Sequence, residues 1–334
     1  MARAVDQGPL VTYSSRRAKY LNLVVSGALS PLERFLEFRA GRGEQPVCFI
    51  VGPPRSGSTL LYELLVTRFQ CGYFSNFAKR LFRVPVAATW LCRRAMRDRQ
   101  GSFDSSYGEL EGNAAPSEAG RIWACWMPYA APYFLDEPGM PVARMKRKLA
   151  AIGRISGQPM IVKNMILQSD FPLLLDTFPN AIFIYIERDW ADNADSLVRA
   201  RQDKSSMDST GWWSLRPTGW EAYADADAMT QSCAQVVLSH RDLQLGFERL
   251  VEPERVMKVS YETLCEQPEQ VLSDVESFFR RNGVSPERKH KAETLPGMSA
   301  RRHMQDDVRA QIMGCIEKIA KEAGLNQKGE ADDA

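Results

Sequence analysis

Apolar and polar positions along the chain follow two rhythms. Short apolar runs, rich in β-branched and aromatic residues and bounded by Pro, Gly or charge, read as buried strands at Pro46–Val51, Pro159–Asn164, Ala181–Ile186 and Arg255–Tyr261. Between and after them, large apolar residues return at helical spacing over Leu60–Leu65, Phe171–Phe178, Trp190–Arg201, Asp225–Leu250, Pro268–Arg281 and Asp306–Ala323. Strands alternating with helices over most of the chain predict an α/β fold: a P-loop-like, doubly wound parallel sheet with helices on both faces. Ahead of the first strand, residues 18–38 predict two short helices broken at Ser30-Pro31, with Ser30 capping the second and Glu33 at its third position.

These patterns divide the chain into a helical segment over 1–45, a single α/β domain over 46–324 and a polar tail over 325–334. The first segment is expected to pack on the core, with peripheral contact at a membrane surface as its other reading. Residues 71–158 read as an insertion, aromatic and arginine-rich around Trp90, which either faces substrate or simply presents a solvated helix face.

The turn after the first strand carries the densest chemistry. Gly52-Pro-Pro-Arg-Ser-Gly-Ser-Thr59 joins strand to helix, and its glycines permit a tight backbone. The amides of Ser56, Gly57, Ser58 and Thr59 would then stand at a helix N-terminus, where unpaired N–H groups and the helix dipole favour a phosphate. The glycine spacing is that of a nucleotide P-loop, but Ser58 occupies the position where a nucleoside triphosphatase carries its Lys. A cation sits earlier instead, at Arg55, where it can bridge a bond broken beside the first phosphate. The bland alternative is a plain turn between a core strand and a core helix.

Other polar residues gather at the ends of predicted strands, where open α/β sheets bind ligands. Lys163 and Asn164 end the second strand, and Arg188 follows the third. Ser196 lies eight positions beyond Arg188, about two helical turns, so both can address one anion. Glu118 stands where a turn-rich segment enters the helix Arg121–Trp126, a junction at which a carboxylate is often merely a cap. The tryptophans at 212, 213 and 220 could stack on a substrate or form a small core, whereas His240 reads as a surface histidine.

Charge and cysteine content narrow the class. Lys and Arg number 43 against 41 Asp and Glu, a formal charge of +2, which gives no electrostatic case for nucleic acid as a partner. The seven cysteines are scattered without a Cys-x-x-Cys pair, so neither a disulfide framework nor a zinc site is expected. No run is long enough for a membrane span and no secretion signal is evident, which points to a cytoplasmic protein.

Arg55 in an anion loop, Lys163 ending a strand, Arg188 with Ser196 after another, and Tyr261 in Tyr-Glu-Thr-Leu together resemble the sulfotransferase family, over roughly residues 46 to 283. The form Pro-Arg-Ser-Gly-Ser-Thr-Leu is similar to its bacterial-type branch. The resemblance implies transfer of a sulfuryl group from 3'-phosphoadenosine 5'-phosphosulfate (PAPS) to a hydroxyl or amine, leaving adenosine 3',5'-bisphosphate and requiring no metal. It places Arg55 to Thr59 on the 5'-phosphosulfate, Arg188 and Ser196 on the 3'-phosphate, Tyr261 near the adenine and Lys163 on the sulfuryl oxygens. On position and charge, Arg301 and Arg302 are candidates for a further 3'-phosphate clamp. The acceptor is expected to be a small molecule, glycan or lipid.

Two residues depart from the cytosolic branch. Met165 stands where those enzymes carry a His base, and Leu60 where they stack a Trp on adenine. The base is therefore expected to be a carboxylate, Glu118 first and Glu111 or Asp104 behind it. Two alternatives stay open, a P-loop kinase or nucleoside triphosphatase and a non-catalytic nucleotide-binding protein of the same fold.

Overall fold

The computed structural model describes residues 16–41, 46–103, 105–106, 109–127, 139–203, 212, 214–289 and 304–325. Its strands are β1 (Val47–Val51), β2 (Phe69–Gln70), β3 (Ser105–Ser106), β4 (Glu109–Leu110), β5 (Met160–Lys163), β6 (Ile182–Glu187), β7 (Val256–Ser260) and β8 (Glu287–Arg288). The helices begin with α1 (Arg16–Ala40), α2 (Ser58–Arg68), α3 (Asn76–Arg80), α4 (Pro85–Arg97), α5 (Gly120–Trp126) and α6 (Val142–Ser156). They continue with α7 (Phe171–Thr177), α8 (Trp190–Asp203), α9 (Ala228–Leu250), α10 (Tyr261–Glu266), α11 (Pro268–Arg281) and α12 (Asp306–Glu322).

The central sheet has the order β5-β1-β6-β7, and each neighbouring pair is parallel. β1 and β5 are buried at every position because both faces are covered, as a parallel sheet requires, and the one polar side chain among them is Lys163 at the end of β5. Alternation then sorts the side chains. Phe49, Val51, Val162, Phe183 and Tyr185 pack with α4, α5, α6, α7 and α9. Cys48, Ile50, Ile161, Ile184 and Ile186 pack with α2, α10 and α11 on the opposite face. A third cluster joins α8, α9 and α12 through Leu197, Val237 and Ile316.

α1 differs from the predicted pair of short helices. It is one helix of 25 residues that runs through Pro31, and Ser30 is not its cap. The Ser30 hydroxyl donates instead to the Ser26 carbonyl at 2.9 Å, bonding back within the turn where proline lacks an N–H. Continuity is favoured because Val25, Leu29, Leu32 and Leu36 form one stripe that packs on the core. Beside that stripe, Glu33 and Glu37 turn inward. Glu33 accepts from the Ala87 amide at 2.7 Å, and Lys148, buried on α6, pairs with both glutamates.

One further expectation is corrected. His240 is buried rather than on the surface: it stacks on Trp190 with centroids 4.8 Å apart and shares a hydrogen bond with the Tyr185 hydroxyl. Within the arginine-rich stretch Trp90 is half-buried with Arg93 over its ring, Arg94 and Arg97 are exposed, and Trp123 and Trp126 sit edge-on to Phe74 inside the core. Trp212 is buried too, 5.2 Å from Trp220, while Trp213 lies outside the described residues. No described helix is long and apolar enough to cross a membrane.

Candidate active site

Because the four central strands are parallel, their carboxyl ends all open on one edge of the sheet. The turn from β1 to α2 lies at the centre of that edge, between the ends of β5 and β6. Close packing demands the glycines here. A side chain at Gly52 would place its Cβ 2.5 Å from the Ile186 carbonyl oxygen. Gly57 is left-handed at φ 92°, and a Cβ there would lie 2.2 Å from the Tyr261 ring. Arg55 also adopts a left-handed backbone, φ 68°, a conformation that costs an arginine about 1 kcal/mol or more and that clusters at functional loops.

Two side chains that sequence reasoning missed hold this loop. Gln168, in a short 3-10 turn after β5, accepts from the Gly52 amide at 3.1 Å and donates to the Gly52 carbonyl at 2.9 Å. Asn193, on α8, donates to the Pro54 carbonyl at 2.7 Å. Both are fully or nearly buried, so each replaces water at backbone groups that would otherwise go unpaired. The available signal was an amide side chain inside an otherwise apolar turn, Met165-Ile-Leu-Gln168.

Arg55, Arg188, Ser196 and Tyr261 come together on one side of the loop. Arg55 Nε donates to Ser196 Oγ at 3.3 Å, and Arg188 Nη1 to the Arg55 carbonyl at 3.4 Å. The Arg188 guanidinium lies 4.6 Å from the centroid of the Tyr261 ring, a cation–π contact. Burial raises the Tyr261 phenol above its ordinary value, so the ring stays neutral beside the arginine. Behind them Arg309 of α12 bridges Asp189 at 2.8 Å and Asp192 at 2.9 Å, bracing the start of α8.

On the other side, Lys163 Nζ donates to Thr59 Oγ1 at 3.1 Å and pairs with the Glu118 carboxylate. Lys163 is almost wholly buried, whereas 42% of the Glu118 side chain is exposed. Asn164 sets this geometry by donating to the Glu118 carbonyl at 2.9 Å, and the next residue, Ala119, is left-handed at φ 52°. The turn thus delivers Glu118 to the end of β5 even though 45 residues separate it from Lys163. Glu111 is exposed and Asp104 lies outside the described residues, as do Arg301 and Arg302. Ser56 Oγ and Arg188 Nε are buried with no partner among the described residues, so the loop keeps polar capacity in reserve.

The loop thus has Arg55, Arg188 and the Ser196 hydroxyl on one side, and Lys163, the Thr59 hydroxyl and the Glu118 carboxylate on the other. Comparison with known proteins points the same way. The model for the Sulfotransferase family matches residues 46–282. No curated protein sequence matches the chain. Among solved structures, sulfotransferase STF1 from Mycobacterium tuberculosis H37Rv is 16% identical, with 93% of this chain and 87% of that one covered at a TM-score of 0.51. Sulfotransferase STF9 from Mycobacterium avium is also 16% identical, with 99% and 82% covered at a TM-score of 0.50. At that identity the two structures speak for the fold, a parallel sheet flanked by helices. The family match, which takes in the strand-loop-helix at 46–68, β5 with Lys163 as its last residue, and β6 and β7 with Arg188 and Tyr261 directly after them, shows that the chain belongs to the sulfotransferase family.

Proposed function

We propose that the protein transfers a sulfuryl group from PAPS to a hydroxyl or amine, with the acceptor proton taken by Glu118. The observation that carries this reading is the meeting of Lys163, Thr59 and Glu118 at the end of β5, beside the loop that presents Arg55. The donor supplies an activated sulfuryl group whose leaving oxygen gathers negative charge as the bond breaks. Fixed donors and cations at such an oxygen provide most of the catalysis in transfers of this kind.

The residues fit that demand. The amides of Ser56 to Thr59 lead into α2, and the unpartnered Ser56 hydroxyl adds a donor on a buried wall. Arg55 is pre-positioned by its strained backbone and by Ser196, so little ordering remains to be done when an anion arrives. Arg188 is similarly held over the Tyr261 ring, with its Nε unpartnered among the described residues. An ammonium has three donors, so Lys163 can hold Thr59, Glu118 and an anionic oxygen at once. Glu118 is both anchored and partly exposed, which leaves it accessible to an incoming acceptor and able to accept its proton. Arg55 and Lys163 are thus the cations we assign to the chemistry, and Arg188, Ser196 and Tyr261 to nucleotide binding.

Calorimetric titration with adenosine 3',5'-bisphosphate in EDTA, set beside ATP with Mg²⁺, tests the reading. Binding of the bisphosphate without metal is the expected result. Binding of ATP with Mg²⁺ and not of the bisphosphate would replace it with the kinase alternative, and binding without any sulfuryl transfer across an acceptor screen would favour a non-catalytic protein.

A further inference from the structure

α1 carries two apolar stripes, and only one of them is used. Val25, Leu29, Leu32 and Leu36 face the core. Leu21, Val24, Ala28, Pro31, Phe35 and Phe38 recur at steps of three and four on the adjoining side, all exposed. Exposure reaches 70% at Val24 and 84% at Phe38, with Leu21 at 66%. No described residue covers this stripe in the single chain. A surface of this kind on one helix marks a contact yet to be made.

Charge identifies the partner. α1 packs against α4 and α6, which also pack on each other, so the three form one layer. Their sequences hold thirteen Lys and Arg and two acidic residues, Glu33 and Glu37. Folding removes both acids from the surface, since they are buried against Lys148 and Arg144. Every exposed charged side chain described on the three helices is an arginine, Arg34, Arg39, Arg94, Arg97 and Arg147 among them. In a chain whose formal charge is only +2, that layer is strongly polarised.

We propose that this face docks on an anionic lipid bilayer, with the outer stripe of α1 entering the interface and the arginines meeting lipid phosphates. An apolar helix face flanked by basic residues supplies the two signals that stable peripheral binding needs. Guanidinium groups suit phosphate oxygens, and Arg39 already lies 5.9 Å from the centroid of the Phe35 ring at the edge of the stripe. A symmetric dimer through the same stripe would set two positive layers face to face, which like-charge repulsion opposes. Nucleic acid would satisfy the arginines but leave the stripe in water. The proposal is independent of the sulfuryl chemistry.

Co-sedimentation of the full chain with vesicles is the test, using phosphatidylcholine alone and phosphatidylcholine mixed with phosphatidylglycerol. The protein should pellet with the mixed vesicles, and less so as salt is raised. Val24→Glu with Phe38→Glu should lower the bound fraction about tenfold or more, with the thermal midpoint unchanged because both residues are exposed. Arg34→Glu with Arg39→Glu should erase the preference for phosphatidylglycerol. The proposal is overturned if the chain stays in the supernatant with both vesicle types, or if the Val24 and Phe38 changes leave binding intact. It is likewise overturned if those changes instead dissolve a dimer seen by light scattering without vesicle binding, or if a homopolymer RNA binds the chain while the mixed vesicles do not.

Discussion

Glu118 shows how much one residue's role depends on its neighbours. In isolation it is a carboxylate near a helix start, where many such residues merely cap. Here the Asn164 amide fixes its backbone and the Lys163 ammonium its side chain, both from the end of β5. Replacing the carboxylate by an isosteric amide keeps the shape and removes the proton acceptor. Glu118→Gln should therefore lower turnover by roughly 10²–10⁴ while bisphosphate affinity in calorimetry stays within a few-fold of the parent. Full activity in that variant would move the base to Glu111 or Asp104. The tight turn over Gly52 to Thr59 was legible from its glycine spacing because such a strand-to-helix turn is a local object. Gln168 was not, since a glutamine in an apolar turn names no partner until the turn is placed against Gly52.

Among the elements, α1 departs most from its pattern. Serine followed by proline marks a helix start in most contexts, yet the stripe from Val25 to Leu36 gains more by staying in one register than a new cap would supply. Its anchor is the buried trio of Glu33, Glu37 and Lys148, in which burial pushes the Glu33 carboxyl above its ordinary value while Lys148 draws it back. Removing the lysine alone leaves carboxylates buried without their counter-ion. Lys148→Met should cost roughly 3–5 kcal/mol in urea unfolding, and adding Glu33→Gln should recover part of it. A cost below about 1 kcal/mol would show that the trio contributes little to holding α1. The four strands were legible because continuous apolar runs between Pro, Gly and charge have few other uses.

At the scale of the whole molecule, the third cluster couples α8, α9 and α12 to the site, and His240 lies where it meets the sheet. Burial lowers the His240 imidazole from its ordinary value to about 3, with the nearby Lys258 adding to the effect. Its folded-state value is therefore below the unfolded one, so the unfolded chain takes up the proton first. The stability that neutral His240 provides is complete above about pH 6.5 and is lost as pH falls from there toward 3, at up to about 1.4 kcal/mol per pH unit. The thermal midpoint should drop over that range, and His240→Asn should flatten the slope whatever it does to the midpoint at neutral pH. An unaltered slope would assign the acid sensitivity to other groups. By itself the sequence determined the α/β class, the parallel sheet, the glycine turn between first strand and helix and the cations at strand ends, because each follows from a local rhythm or a short spacing. Only the tertiary structure decided that Glu118 meets Lys163, that His240 and Trp123 are buried, that Gln168 and Asn193 hold the loop, and that α1's acids turn inward to leave an arginine surface. Those outcomes depend on which distant segments share a face, and burial and pairing energies settle that only when the whole chain has packed.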